Sequence, residues 1–232
     1  MEPSIKIITK TNYEKQNKKP NQKKVWDNIA KPWKTYRENK IPIVEDFLKD
    51  KTGLIVDLGC GSGRNMLPKK QTSYYGVDFS GEQLTHTKVY LKKNKIKAKL
   101  FQKKIHLLPK KIFKDSMFDA GLFIASLHCI EFDGQRKQAL KQLHRILKTD
   151  AQALITVWNA KDKRFSSVKN HGPIYMSWKE NNIPYMRFYY LFKKQELLAL
   201  IKQTGFKILQ VYKPGTDRFS KKNLIIRMKK IK

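Results

Sequence analysis

The chain has 232 residues, of which 40% are hydrophobic, and its 50 lysines and arginines against 19 acids give a formal net charge of +31. This length and apolar fraction predict one globular domain with a real core, and the basic excess favours a polyanionic partner, most simply nucleic acid, over a small neutral ligand. Codon bias towards lysine and an acidic membrane surface stay open as alternatives, although codon bias does not deplete acids and we see no basic amphipathic helix.

The chain has two cysteines, Cys60 and Cys129, and their number and spacing argue against a zinc site and a disulfide framework. They form no Cys-x-x-Cys pair, so we expect no zinc site within this chain and no disulfide framework. The N-terminus lacks the apolar core of a signal peptide, and no apolar run is long enough to span a membrane. We therefore expect an intracellular, cytoplasmic protein that has no membrane partner.

Two kinds of segment precede the first predicted strand. Residues 1–22 are polar and rich in lysine and asparagine, which predicts a flexible basic arm ahead of a domain that spans 23–232. Apolar residues then recur at helical spacing over 25–33, and again over 43–48 after Pro42. This spacing predicts two helices.

The stretch that organises the chain is LIVDLGCGSG, at residues 54–63. An apolar run that ends in Asp57 and continues into alternating glycines predicts a strand, a tight turn and a helix beginning near Arg64, because glycine allows unusual backbone angles and close approach to a ligand. The next apolar run ends in Asp78, where an acid contacts the ribose in nucleotide-binding βαβ units. The spacing is Asp-x-Gly-x-Gly-x-Gly, which differs from the Gly-x-Gly-x-x-Gly that a dinucleotide site requires. The alternative to a cofactor-binding loop is a generic strand–helix turn.

This motif resembles motif I of the class I S-adenosylmethionine methyltransferases, and the resemblance implies S-adenosylmethionine as cofactor. It implies that Asp57 and the glycine loop hold the methionine end of the cofactor, and that Asp78 holds its ribose. Adenine would rest on the Ile105 amide and on apolar packing. The predicted cofactor-binding residues are Asp57, Gly59, Cys60, Gly61, Asp78, Phe79, Ile105 and Ile124.

Strands and helices then alternate, which predicts an α/β fold. The fold is expected to be Rossmann-like, of the class I methyltransferase type, with a seven-stranded, mostly parallel sheet and helices on both faces. The resemblance implies an antiparallel final strand. A long polar insert at 161–182 interrupts the alternation and predicts a functional loop, so that a substrate-side insert lies near 161–190. The predicted strands are 53–57, 73–78, 98–102, 118–124, 151–158, 206–212 and 223–229, and the predicted helices are 81–94, 135–147 and 194–203.

Several further segments resemble one methyltransferase family, which acts on the 5-carboxymethyl group of uridine at the tRNA wobble position. They are VWDNIA at 25–30, YR at 36–37, PIVEDFL at 42–48, IYMSWK at 174–179 and RFYYLF at 187–192. The resemblance implies tRNA as substrate and a heterodimer with a small zinc-binding activator protein, whose zinc is its own. The activator would pair with an exposed strand edge. The candidate edge is the third strand, with Ala98, Leu100 and Phe101, although these apolar residues could instead be ordinary core.

The chemistry of that substrate sets what the site needs. A carboxylate with a reference pKa of roughly 4 is ionised at neutral pH and attacks a methyl group without a general base, so the enzyme must position it and exclude water. A guanidinium orients a carboxylate through two parallel hydrogen bonds, and aromatic rings stack on a flipped base. The predicted catalytic residues are Arg37, His128 and Arg187, and the predicted substrate-binding residues are Trp158, Trp178 and Tyr189. The alternatives are surface or phosphate-contact arginines, a packing histidine and core aromatics.

Two departures from the family pattern keep rival functions open. Lys104 stands where the family has an adenine-binding Asp, and Cys129 stands where a second His is common. Two other reactions are excluded, because the chain lacks the Asn/Asp-Pro-Pro-aromatic segment of base-amine methyltransferases and the Pro-Cys of cytosine-C5 methyltransferases. The rivals are a methyltransferase acting on another RNA site or a small molecule, and a catalytically weak RNA-binding scaffold.

Overall fold

The computed structural model describes residues 6–168 and 171–231, which form a central sheet, its flanking helices and a small second sheet. The strands of this part of the chain are β1 (Ile7–Thr9), β2 (Gly53–Leu58), β3 (Thr72–Asp78), β4 (Ala98–Gln102), β5 (Phe118–Ile124), β6 (Leu147–Trp158), β7 (Gly172–Glu180), β8 (Ile183–Leu191), β9 (Phe206–Val211) and β10 (Asn223–Lys230). The helices are α1 (Lys10–Glu14), α2 (Gln22–Asn28), α3 (Ala30–Tyr36), α4 (Pro42–Leu48), α5 (Gly81–Lys93), α6 (Asp133–Ile146), α7 (Lys194–Gln203) and α8 (Arg218–Lys222).

The central sheet has seven strands in the order β4-β3-β2-β5-β6-β10-β9. The strands from β4 to β6 pair in parallel, and β10 pairs antiparallel with both β6 and β9. The predicted mostly parallel sheet and the antiparallel final strand are confirmed. The chain runs from β2 through β3 to β4 on one side and returns to β5 on the other, so a ligand site is expected at the carboxyl ends of β2 and β5.

Helices cover both faces of this sheet, as predicted. The adjacent residues Ile55 and Val56 of β2 belong to two different core clusters, because successive side chains of a strand point to opposite faces. Leu140, Leu143 and Ile146 of α6 are fully buried in the Val56 cluster together with residues of α7, while α4 and α5 contribute to the Ile55 cluster. Burial of each such side chain is worth about 1.5–3 kcal/mol. Within the described ranges, no helix is both long and apolar enough to cross a membrane.

One predicted helix does not form. Residues 59–71, between β2 and β3, form a series of turns, so the prediction of a helix beginning near Arg64 is wrong. Gly63 has φ +88°, and only four residues separate it from Pro68. A helix nucleus is unfavourable in so short a segment, and proline disfavours helical backbone at the residue before it.

Between residues 22 and 48, where two helices were predicted, the chain forms three short ones, α2, α3 and α4. The apolar periodicity of 25–33 runs through α2 and α3, but the backbone of Ile29 between them (φ −96°, ψ 5°) is not helical. Pro32 explains the interruption, since it has no N–H to donate to the carbonyl of Asn28 and its ring crowds that carbonyl. The other predicted helix forms as α4, with Pro42 in its first turn.

The second half of the polar insert at 161–182 is not the predicted loop. Strands β7 and β8 form an antiparallel hairpin, and β1 pairs with β7 to complete a three-stranded sheet. The turn consists of Asn181 and Asn182, whose positive φ angles (47° and 63°) fit a two-residue type I′ turn that asparagine tolerates. This Asn-Asn pair between two aromatic-rich runs is the sequence signal that predicts a hairpin.

Part of the predicted N-terminal arm packs against this hairpin. The ring centroid of Tyr13 lies 4.8 Å from that of Tyr175, and the Tyr175 hydroxyl donates to the carboxylate of Glu14 at 2.8 Å. Residues 1–5 of the arm lie outside the described residues. The domain boundary after residue 22 and the flexibility of the arm stay predictions.

Candidate active site

Besides Gly63, the loop after β2 carries two more glycines whose backbone angles disfavour other residues. Gly59 has φ +74° and Gly61 has φ +54°, and a Cβ on Gly59 would lie 2.3 Å from the hydroxyl oxygen of Ser126. The N–H groups of Gly59 and Cys60 donate to the carbonyl of Val77 at 2.7 and 3.0 Å, which ties the loop to β3. The glycines therefore make a tight turn that lets other groups approach the backbone closely.

Asp78, the last residue of β3, closes this loop from the other side. Its carboxylate lines a cavity and accepts hydrogen bonds from the N–H groups of Gly61 at 2.9 Å and Ser80 at 3.0 Å. Burial raises the pKa of Asp78 to about 6, while hydrogen bonds from these backbone N–H groups oppose the rise. At neutral pH the carboxylate is mostly ionised and held in one orientation, as an acceptor for ribose hydroxyls requires.

Asp57 lies near the end of β2, outside the cavity lining. It is fully buried, and neither carboxylate oxygen has a hydrogen-bond partner within the described part of the chain. Burial raises the pKa of Asp57 to about 7; the charge of Asp78 adds to the rise and Asn65 opposes it. A direct role of Asp57 in holding the cofactor stays a prediction.

A cavity of about 410 Å³ opens beside the glycine loop. Asn65 and Gln83 line it, and although both are buried, the side-chain oxygen of each lacks a hydrogen-bond partner in the described protein. Buried polar atoms are costly unless they are paired, so this half of the cavity fits a nucleoside that carries an amino acid tail. The predicted cofactor-binding residues that line the cavity are Gly59, Cys60, Gly61, Asp78, Phe79, Ile105 and Ile124.

No motif marks Asn65 or Gln83, so neither residue was predicted from the sequence. Gln83 lies in the first turn of α5, where its N–H donates to the hydroxyl of Ser80, and it is buried because α5 packs against the glycine loop. Asn65 lies in the turn that replaces the predicted helix. Their roles depend on how the loop folds rather than on a residue pattern.

Aromatic side chains line the other half of the cavity. Trp158 ends β6, Tyr189 lies in β8, and His128 lies in the turn after β5; all three are buried and line the cavity. The ring centroids of Trp158 and Tyr189 are 3.9 Å apart, and those of His128 and Trp158 are 5.0 Å apart. The fold thus brings together three of the predicted substrate-side residues from three separate segments.

His128 is neutral in this setting. The backbone N–H of Trp158 donates to Nδ1 of His128 at 3.4 Å, which assigns the proton of the neutral ring to Nε2. Burial lowers the pKa of His128 to about 3, and the charges of Arg37 and Arg164 contribute to the shift. The side chain therefore offers a hydrogen-bond donor at neutral pH and is a poor general base.

Arg37 brings a positive charge into the cavity lining. Its guanidinium carbon lies 4.6 Å from the ring centroid of Trp33, and its buried Nε has no hydrogen-bond partner in the described protein. No carboxylate of the described ranges forms an ion pair with it. Burial lowers the pKa of Arg37, because the charged form is poorly solvated there. An anion in the cavity would supply both an ion-pair partner and a hydrogen-bond acceptor for this side chain.

Two other predicted substrate-side residues lie behind the cavity wall. Arg187 is buried and donates from Nη1 to the Tyr189 hydroxyl at 3.1 Å and from Nη2 to the Ser177 carbonyl at 3.0 Å. Its guanidinium lies 5.1 Å from the ring centroid of Trp33 and 5.2 Å from that of Trp178. Neither Arg187 nor Trp178 lines the cavity.

The cavity lining is rich in basic residues, several of which were not predicted as site residues from the sequence. Lys104, noted above as a departure from the family pattern, does line the cavity. Burial lowers the pKa of Arg64 to about 10, and the charge of Arg37 contributes. The other basic residues of the lining are Lys19, Lys23 and Lys103.

The two cysteines are protonated at neutral pH. Burial raises the pKa of the Cys60 thiol well above its usual value and that of Cys129 to about 12. A thiol is a far weaker nucleophile than a thiolate. Both cysteines therefore fit the role of small residues in the cavity wall.

The chain is similar to known methyltransferases in sequence and in fold. A family model described as a methyltransferase domain matches residues 55–150. A tRNA (carboxymethyluridine(34)-5-O)-methyltransferase of Schizosaccharomyces pombe is 28% identical over 219 residues, which cover 84% of this chain and 90% of that protein. A protein of the same name from Arabidopsis thaliana is 28% identical over 153 residues, 65% of this chain and 36% of the plant protein. The fold matches that of a SAM-dependent methyltransferase of Methanosarcina mazei with a TM-score of 0.66 at 20% identity, over 83% of this chain and 99% of that one.

Proposed function

Because the chain belongs to the class I methyltransferases that use S-adenosylmethionine as cofactor, we propose that it methylates tRNA, and that the acceptor is the carboxylate of 5-carboxymethyluridine at the anticodon wobble position. Relatives that carry this activity in their names support the proposed substrate. S-Adenosylmethionine, when bound, supplies the electrophilic methyl group. The side chains of this protein must hold the acceptor and exclude water.

The observation that carries the proposal is Arg37. Within the described ranges it is a cation in the cavity lining with no ion-pair partner and with an unpartnered Nε, beside an aromatic pair that fits a base. A carboxylate on a pyrimidine fits this site, because the carboxylate supplies a negative charge for Arg37 and accepts a hydrogen bond from its Nε. The pyrimidine ring can stack on the aromatic pair. In this assignment Arg37 contacts one carboxylate oxygen, which leaves the other free to attack.

The neighbouring side chains fit an acceptor that needs no deprotonation. His128 is neutral and holds its proton on Nε2, so it donates a hydrogen bond to the substrate instead of removing a proton. Cys129 is a thiol and does not act as a nucleophile. Catalysis then rests on orientation and on removal of water, effects that supply about 7–11 kcal/mol of a barrier when the alignment is good.

The aromatic wall would hold the base. Trp158 and Tyr189 are the stacking residues, and Arg187 acts through Tyr189 as a positioning residue, because its hydrogen bond fixes the tyrosine hydroxyl. Trp178 packs against Trp33 at 5.6 Å between ring centroids and supports the wall from outside. Arg187 and Trp178 thus take indirect roles in this proposal.

The polar half of the cavity would hold the cofactor. Asp78 is placed to accept from the ribose hydroxyls, and the open glycine loop with Asn65 and Gln83 takes the amino acid tail. Ile105 supplies apolar packing for the adenine. Lys104 offers no acceptor for the adenine amino group, and the missing hydrogen bond costs about 1 kcal/mol in binding free energy.

We also propose a small zinc-binding activator protein as partner. Strand β4 is an edge strand of the central sheet, so one side of its backbone is open to pairing with a strand from another chain. Ala98, Leu100 and Phe101 are half-buried, with the Phe101 ring 4.9 Å from that of Tyr75. Co-expression with the activator should raise the thermal stability of the chain, whereas unchanged melting and separate elution of the two proteins would refute this partnership.

The test is methyl transfer from labelled S-adenosylmethionine to bulk tRNA, with and without the activator, followed by nucleoside digestion and mass detection. The expected product is the methyl ester of 5-carboxymethyluridine. Label on another nucleoside, or on a small molecule in an extract, would replace the proposed substrate with one of its rivals. Absence of both transfer and cofactor binding by calorimetry would favour an RNA-binding scaffold.

A further inference from the structure

We propose that Tyr36, Trp178 and Arg218, here called the Tyr36 platform, bind single-stranded RNA next to the target nucleotide. In this arrangement a neighbouring base stacks on the Tyr36 ring, and the backbone phosphate beside it contacts Arg218. The proposal rests on the proposed function, since it assumes an RNA substrate whose target base enters the cavity.

The Tyr36 ring is exposed and yet held in place. It ends α3 and is 52% exposed. The guanidinium of Arg218 donates to its hydroxyl at 2.7 Å and lies 5.5 Å from the ring centroid. The Trp178 ring meets it edge-on, with a centroid distance of 5.8 Å and an interplanar angle of 71°. A ring fixed in this way loses little entropy when a base stacks on it, and base–aromatic stacking tolerates any sequence.

The platform adjoins the cavity through two residues that belong to both. Arg37 lines the cavity, and its guanidinium carbon lies 5.4 Å from the ring centroid of Tyr36. Trp33 also lines the cavity, and its ring lies 6.1 Å from Tyr36 and 5.6 Å from Trp178. An RNA strand with its target base in the cavity therefore passes the platform with its adjacent nucleotide.

The charges around the platform favour a polyanion. Arg218 is exposed and forms no ion pair within the described ranges. Burial lowers the pKa of Lys222, and the positive charges of Arg164, Arg218 and Lys163 lower it further. The acids nearby already have partners. Asp162 is paired with Arg164 at 2.9 Å, Asp217 accepts from the backbone N–H groups of Phe219 and Ser220, and Glu180 accepts from Nε1 of Trp178 at 3.4 Å. Phosphates would relieve the repulsion among these cations, and the combination of a fixed ring with crowded cations is the recognition chemistry of single-stranded RNA.

Binding of a synthetic anticodon stem-loop RNA, with unmodified uridine at the wobble position, tests the platform by fluorescence anisotropy over a range of salt. Tyr36→Ala should weaken binding about tenfold, and Tyr36→Phe, which keeps the ring, should stay within about twofold of the unchanged protein. Arg218→Ala should reduce the slope of log K against log salt by about 1. The control Lys141→Ala, an exposed lysine on α6, should leave affinity unchanged.

A second RNA identifies the stacking partner. With an abasic nucleotide beside the wobble position, Tyr36→Ala should cost no further affinity, because the base it would stack on is already gone. Wild-type affinity in Tyr36→Ala on the intact RNA, or an equal loss on both RNAs, would overturn the proposal. A Tyr36→Ala variant that keeps RNA binding but loses binding to vesicles of anionic phosphatidylserine would also overturn the proposal, since the partner of the platform would then be a membrane.

The readout separates this inference from the proposed function. The RNA carries no carboxymethyl group and no methyl is transferred, so a different modified nucleoside would leave the binding result intact. Conversely, confirmed esterification with an unchanged Tyr36→Ala would refute only the platform. Affinity for S-adenosylmethionine by calorimetry should be equal in all variants, because none of the substituted residues lines the cavity.

Discussion

Nη1 of Arg187 donates a hydrogen bond to the hydroxyl of Tyr189 at 3.1 Å, and both side chains are buried. The two residues are two apart on β8, so they share one face of the hairpin. Tyr189 lines the cavity and Arg187 does not. The arginine therefore fixes an aromatic wall of the site from behind.

This arrangement predicts that Arg187→Met and Tyr189→Phe are not additive. We expect Arg187→Met to lower kcat/KM on tRNA by about tenfold to a hundredfold. Because both substitutions remove the same hydrogen bond, the double variant should lose little more than Arg187→Met alone. Arg187→Lys should restore part of the loss, and affinity for S-adenosylmethionine should not change. Fully additive losses, or equal losses in cofactor affinity, would contradict a positioning role.

Arg37→Gln should lower kcat/KM on tRNA by about a hundredfold, because truncation removes the cation assigned to the carboxylate, an interaction worth about 1.5–3 kcal/mol as a charged hydrogen bond. The matched control is Lys31→Gln, which removes an exposed charge from α3, the helix that ends one residue before Arg37. Single-turnover rates on tRNA check the prediction. If the two variants lose activity equally, Arg37 contributes only general charge.

The raised pKa of Asp57 predicts that the free energy of unfolding depends on pH. Its pKa is raised from 3.8 to about 7, so between about pH 4 and 7 the native state keeps a proton that the unfolded state releases. The native state then binds more protons, and its free energy of unfolding falls as pH rises through this window, at about 1.4 kcal/mol per unit. Asp57→Asn should lose this decline and gain stability over the unchanged protein above pH 7.

Urea unfolding at pH 5 and pH 8 checks the sign. Asp119→Asn is the matched control, because hydrogen bonds from Lys148 and from the N–H of Leu54 lower the pKa of Asp119 despite its partial burial. That variant should lose stability at pH 8 relative to the unchanged protein. An Asp57→Asn curve parallel to the wild-type curve would show that the carboxyl is ionised in the native state throughout.

Lys104→Asp should tighten the binding of S-adenosylmethionine by roughly fivefold. The aspartate restores an acceptor where the lysine at the cavity edge offers only donors, and one hydrogen bond is worth about 1 kcal/mol. Lys103→Asp makes the same change of charge at the neighbouring residue of the lining and should have a smaller effect. Calorimetry at constant salt measures both, and equal gains would indicate a general charge effect.

The local features of this protein were open to prediction from the sequence. Strands β3, β4 and β5 and helices α5 and α7 match their predicted bounds closely, because apolar periodicity and short turns act within a few residues. Gly59 and Gly61 mark the tight turn through their own backbone preferences, and Asp78 follows its strand at a fixed distance. The errors at Arg64 and in α2–α3 arose where a proline interrupts an apolar pattern.

Only the tertiary structure decided the composition of the site. The sequence determined that Trp158, Tyr189 and His128 lie at element ends or in aromatic runs, but not that their rings meet around one cavity. Nor does any pattern separate Arg37, which lines that cavity, from Arg187, which lies behind it. These outcomes depend on how the β7–β8 hairpin packs on the central sheet, and contacts between segments so far apart in the chain are set by packing and burial rather than by local backbone preference.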